Sequence, residues 1–170
     1  MQIAQLTSCN LYANGKSFAG ALVSCTLPEV KHKGIEHKAG DGIGTPKLPG
    51  ALEAMTSTMK LNGLYADFHG LTVDPNNMLS IQIRANQKVR NAAGNLKDVP
   101  VIIHMRGWAS SRKIGELKSS EGSNPEYVIE VWYYKLVVDG EEIEEIDVEN
   151  CVHRQNGVDL MANYRSNLGI

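Results

Sequence analysis

Apolar and polar residues alternate with period two along much of this chain, a pattern that points to antiparallel β-structure with one buried face. Leu79, Ile81, Ile83 and Ala85 alternate with Ser80, Gln82, Arg84 and Asn86. Met55, Met59 and Leu61 alternate with Thr56, Thr58 and Lys60, and Val99, Val101, Ile103 and Met105 line one side of a further strand. Tyr127 to Val138 is rich in β-branched and aromatic residues, the types that suit a pleated, half-buried surface. Turn chemistry punctuates these runs. Asn14-Gly15 separates Leu11–Ala13 from Lys16–Phe18, and Asp139-Gly140 separates Tyr127–Val138 from Glu141–Glu149. Both dipeptides favour the two left-handed residues of a tight hairpin turn. The glycine-containing stretch 91–95 suits a further hairpin loop.

The reading is a mostly β chain, an antiparallel sandwich or barrel with one or two short α-helices. Leu64, Tyr65 and Phe68 predict a helix ahead of Asp74-Pro75. Leu160, Tyr164 and Leu168, four residues apart, predict another over Val158 to Leu168. Two segments have no periodicity of their own: the glycine- and proline-rich stretch Ala39–Gly50, and the polar stretch Ser110–Pro125. Long loops of this kind commonly bind or assemble. With 170 residues and no linker-like segment, one domain is expected.

Composition narrows the function by exclusion. A formal net charge of −2 does not favour a chain that grips nucleic acid, which needs concentrated basic charge. No window approaches the ~20 apolar residues of a membrane helix, and the first ten residues lack the basic-then-apolar order of a secretory signal. No membrane anchor is expected, and synthesis and folding in a cytoplasm are. Gly40-Asp41-Gly42-Ile43-Gly44 has the wrong spacing for a dinucleotide loop, and prolines follow where a phosphate-binding helix would start. Gly15 to Gly20 is one residue too long for a nucleophile elbow. His32, His37, His69, His104 and His153 form no metal-ligand spacing. The chain is read as a non-enzyme without a cofactor.

One charge feature stands out: Asp139, Glu141, Glu142, Glu144, Glu145, Asp147 and Glu149. Simple alternation places Glu141, Glu145, Asp147 and Glu149 on one side and Glu142 and Glu144 on the other. The run reads as a solvated edge strand or as an electrostatic contact with a basic partner.

Several motifs in order resemble one known family. They are Asn14-Gly15-x-Ser17-Phe18-x-Gly20, Thr26-Leu27-Pro28, Met105-Arg106-Gly107 before a polar loop, Tyr133 to Gly140, Glu145-Ile146-Asp147, Asn156-Gly157-Val158-Asp159 and Asn167-Leu168-Gly169. Together they are similar to the major tail tube proteins of contractile-tailed phages and R-type pyocins.

That resemblance implies hexameric rings that stack helically into a hollow tube inside a contractile sheath. Two antiparallel hairpins per subunit would close with neighbouring copies into a continuous barrel around the lumen; Val23–Glu36 and Leu79–Met105 are the expected strands. A long loop at about 38–50, carrying Lys38, Gly40, Gly42, Gly44, Pro46 and Pro49, would reach the adjacent ring. Expected partners are further copies of the chain, the sheath protein, baseplate and terminator proteins and a tape measure protein in the lumen. DNA would only be in transit, in a particle assembled in the host cytoplasm and released. In such a particle Cys9, Cys25 and Cys151 are candidates for disulfides between subunits. A secretion-system or extracellular injection tube, and a monomeric β-barrel binding module, are the alternative readings.

Overall fold

The computed structural model describes residues 3–37, 44–91, 93–119 and 122–170. The strands in the first half are β1 (Ile3–Ala13), β2 (Lys16–Phe18), β3 (Leu22–Thr26), β4 (His32–Glu36), β5 (Lys47–Leu52) and β6 (Met55–Leu61). Helix α1 (Ala66–Val73) leads to β7 (Leu79–Arg90), β8 (Leu96–Lys113), β9 (Glu126–Val138) and β10 (Glu141–Asp147). The chain ends with β11 (Val152–Gln155), β12 (Val158–Asp159) and α2 (Ala162–Leu168). All strand pairs are antiparallel. The fold is mostly β with two short helices.

Three of the tight turns are Asn14-Gly15, Asp139-Gly140 and Asn156-Gly157. In each, both residues have positive φ, for example 53° and 84° at Asp139 and Gly140. That is the twist a two-residue hairpin needs, and it explains why glycine occupies the second position.

Strand β9 organises the molecule. On one side it pairs with β8 along nearly its whole length. On the other, Glu126–Val131 pairs with β6 and Tyr133–Val138 pairs with β10. The sheet therefore divides at Trp132. One layer is β3-β6-β9-β8, using the first half of β9 and the last residues of β8; the other runs β12-β11-β10-β9-β8-β7-β1-β2. Trp132 is the extra residue of a bulge, opposed by nothing between the Tyr133–Arg106 and Val131–Gly107 pairs. It shifts the side-chain parity by one. Tyr127, Ile129 and Val131 before it and Tyr134 after it are thus all buried.

The two layers enclose a single apolar core that takes Met55, Met59 and Leu61 from one and Leu11, Ile81, Ile103, Met105 and Ile146 from the other. Helix α1 adds Phe68, which meets Phe18 edge-on at 5.3 Å and Tyr127 at 5.0 Å. At eight residues α1 is too short to stand alone. Phe68 and Thr72 anchor it on one face, and Arg112 Nη1 donates to Thr72 O at 3.0 Å near its C-terminus, where a cation is favoured.

Four sequence expectations change. Leu64 and Tyr65 precede α1, Tyr65 as its N-cap, and both are exposed. The last helix starts at Ala162, because Val158–Asp159 pairs with β11. Lys47–Gly50 belongs to β5 and Ser110–Lys113 to β8, so both unpatterned segments are shorter than expected. Strands β3 and β4 do not pair with each other.

Candidate assembly surfaces

Strands β3 and β4 are paired with β6 and β5 respectively, and between a bulge at Leu22/Ser24 and another at His32/Gly34 the register carries over from one pair to the next. Thr26 opposes Thr58, and six residues further along each strand His32 opposes Leu52. Together the four strands form one long hairpin, interrupted where Glu53 N donates to Lys31 O at 2.8 Å. Its tip is the expected long loop. Lys38, Gly40 and Gly42 lie outside the described residues. Gly44 is exposed, Pro46 O accepts from His37 N at 3.0 Å, and Pro49 stands in β5 opposite Gly34. The tip stands beyond the core: every residue of β4 is exposed.

A second hairpin comes from the ends of β8 and β9, 107–113 against 126–131. Strand β7 begins at Leu79, opposite Gly107, so the β8 edge beyond that point has no partner strand among the described residues. The outer edge of β3 has none either. The layer β3-β6-β9-β8 thus has two open backbone edges, each a template for another strand.

The acidic strand is not an edge, since β10 lies between β9 and β11. A bulge between Glu142 and Glu144 also overturns the simple alternation. Glu142, Glu145 and Asp147 share one face. Lys135 Nζ is 2.5 Å from Glu142 and 4.0 Å from Glu145, and Arg154 is 3.0 Å from Glu145. Tyr133 Oη donates to Glu145 at 2.8 Å, and Arg106 lies over the Tyr133 ring, 3.8 Å from Asp147. Burial and then the Glu145 carboxylate push the Tyr133 phenol well above its ordinary range. Glu144 turns to the other face, 3.0 Å from His153. Lys97 pairs with Asp139, so five of the seven carboxylates are matched within the chain, and Glu141 and Glu149 are the exposed ones left over.

The three thiols are free within the protomer and half-buried. Cys25 faces the core, 3.5 Å from Ser57 Oγ, and burial pushes its thiol up. At pH 8 it is expected to alkylate more slowly than a free thiol, because less thiolate is present. Mass-resolved labelling checks this.

The phage tail tube protein FII family model matches residues 3–169. This chain belongs to that family. Among curated relatives, the tail tube protein of Escherichia phage P2 is 29% identical over 170 residues, covering 98% of this chain and 97% of that protein. The major tail tube protein of Serratia phage KSP20 is 26% identical, covering 88% and 86%. Solved structures share the fold at lower identity. A chain of the extended sheath–tube complex of the PVC extracellular contractile injection system has a TM-score of 0.52 at 13% identity, covering 76% of this chain and 86% of that one. A chain of the anti-feeding prophage cap has a TM-score of 0.53 at 16% identity, covering 76% and 87%.

The C-terminus of this tail tube protein presents apolar side chains outward: Leu160, Tyr164 and Leu168 are exposed, and α2 buries no residue. What fixes α2 is polar. Arg165 donates to Cys151 O at 2.9 Å and pairs with Asp159 at 2.5 Å. The Arg165 hydrogen bond, helped by the Met161 amide, holds the Asp159 carboxyl below its ordinary value. A depressed carboxyl pKa stabilises above the unfolded value, and that contribution is lost as pH falls through the folded one. Amide resonances of 162–168 are expected to shift toward random-coil positions below about pH 4 while core amides hold.

Proposed function

We propose that this chain is the structural, non-enzymatic subunit of the inner tube of a contractile phage tail. Hexameric rings would stack into the hollow conduit for genome delivery, which also templates the surrounding sheath. One observation carries the reading: the layer β3-β6-β9-β8 holds an even number of strands, all antiparallel, with both outer edges open. Its outer strands β3 and β8 therefore run in opposite directions. Setting the β8 edge of one copy against the β3 edge of the next continues the antiparallel pattern across the seam, and a rotation that closes gives a ring without free edges.

The barrel hairpins in this reading are 22–61 and 107–131, so the second differs from Leu79–Met105. The tip of the first, with the loop around 38–50, would reach the next ring. The opposite, ion-paired face of β7–β11 and the exposed α2 would turn outward, toward the sheath. Terminator and baseplate proteins would cap the tube, and a tape measure protein would occupy the lumen during assembly. Cys151 is better suited to a disulfide between subunits than Cys9 and Cys25, which both pack against the core. Non-reducing electrophoresis of particles tests that, and a monomer band with all thiols titratable argues against it.

Negative-stain electron microscopy of the purified protein at high concentration tests the reading as a whole. Stacked rings or hollow tubes are expected. A protein that stays monomeric even when supplied with baseplates as initiators would overturn it.

A further inference from the structure

Within the tube reading, the layer β3-β6-β9-β8 has one face packed on the core and one bare. On the bare side Thr56, Thr58 and Lys60 alternate with the buried residues of β6, and Ser24 and Lys60 are directly paired across β3 and β6. The second layer and the core all lie on the opposite side. If six copies close edge to edge, that bulk fits only on the outside of the ring, and the bare face turns inward.

This face is rich in hydroxyls, and its charges are arranged across three strands. Glu126 on β9 is directly opposite Lys60 on β6 and directly opposite Lys113 on β8. Lys60 Nζ lies 3.2 Å from the Glu126 carboxylate. Further along β9 the same face carries Glu130, opposite Thr56. Two lysines are thus matched by two glutamates on the strands of the wall. An unmatched lysine repeated around every ring and along every ring of a tube would form basic rows, and basic rows hold polyanions by releasing their counterions.

We propose that this face is the wall of the bore, and that Glu126, seated between Lys60 and Lys113, keeps the wall electrically neutral so that a polyanion passes without being retained. The proposal rests on the tube reading.

The test uses assembled tubes of the full chain. Glu126→Gln removes the charge and keeps the shape, and tubes are sedimented with a fluorescent single-stranded oligonucleotide. Glu126→Gln tubes are expected to retain about tenfold more oligonucleotide than wild type at ~50 mM salt, to lose it near ~200 mM salt, and to return to wild type when Lys60→Gln is added. Equal retention by wild-type and Glu126→Gln tubes would overturn the proposal. Independently of how Glu126→Gln assembles, Thr58→Cys tubes are labelled with a small maleimide and with a maleimide-bearing gold particle wider than the tube, the site being mapped by mass spectrometry. Labelling of residue 58 by the small reagent alone is expected. Labelling by gold would place the face outside and sink this proposal while leaving the tube reading intact. Failure of the wild-type chain to form tubes under any condition would instead sink the tube reading, and this proposal with it.

Discussion

Replacing Gly107 by alanine is expected to destabilise the protein by roughly 3 kcal/mol or more, and to abolish assembly with it. Gly107 sits where β8 passes from one layer to the other, beside the bulge at Trp132. There the two backbones approach so closely that a Cβ would stand 1.9 Å from Glu130 O, 2.8 Å from Glu130 C and 3.1 Å from Val131 Cα. None of these is a flexible side chain that could swing aside. The strand pair has to separate, at the place where β9 already holds β6 on one half and β10 on the other. Urea unfolding of the monomer measures the loss. A variant within about 0.5 kcal/mol of wild type would mean that the crossing tolerates a wider spacing than the structure has.

Phe68→Ala is expected to cost about 3–5 kcal/mol, the range for deleting a fully buried aromatic side chain. Phe68 is 0% exposed and sits edge-on between Phe18 and Tyr127. It is also the main apolar anchor of α1, whose other buried residue is Thr72. The loss should therefore have two parts, a cavity in the core and a loosened helix. Phe68→Leu, which keeps most of the apolar volume, should recover more than half of it. The comparison by thermal or urea unfolding separates packing from ring-specific contacts.

Much of the fold was legible in the sequence, because alternation and turn chemistry are local. The strands around Met55, Leu79, Val99 and Tyr127 and the turns at Asn14-Gly15 and Asp139-Gly140 stand where their residues indicate. Bulges are less local. Nothing at Trp132 or Ile143 announces an extra residue, yet one shift lets a single strand serve two layers and the other regroups the carboxylates of β10. The assembly surface was partly legible for a related reason. Strand β8 reads as one continuous run, and only the point at which β7 stops, opposite Gly107, shows that its last residues belong to a different hairpin. The hairpin 22–61 was hidden by the aperiodic residues between β4 and β5, although the register of β3 with β6 carries over to His32 opposite Leu52.

In the proposed tube the β8 edge of one copy pairs with the β3 edge of the next. Disulfide trapping in assembled tubes tests it most directly. In a chain with Cys9, Cys25 and Cys151 replaced by serine, Ser24→Cys is combined in turn with Ser110→Cys, Ser111→Cys and Arg112→Cys. Mild oxidation should give a ladder of covalent oligomers ending in a closed ring for one of the three pairs, and no ladder from unassembled monomer. Tubes in which none of the three pairs cross-links, while cysteines along the open edge of β1 between Ile3 and Ser8 do, would contradict it.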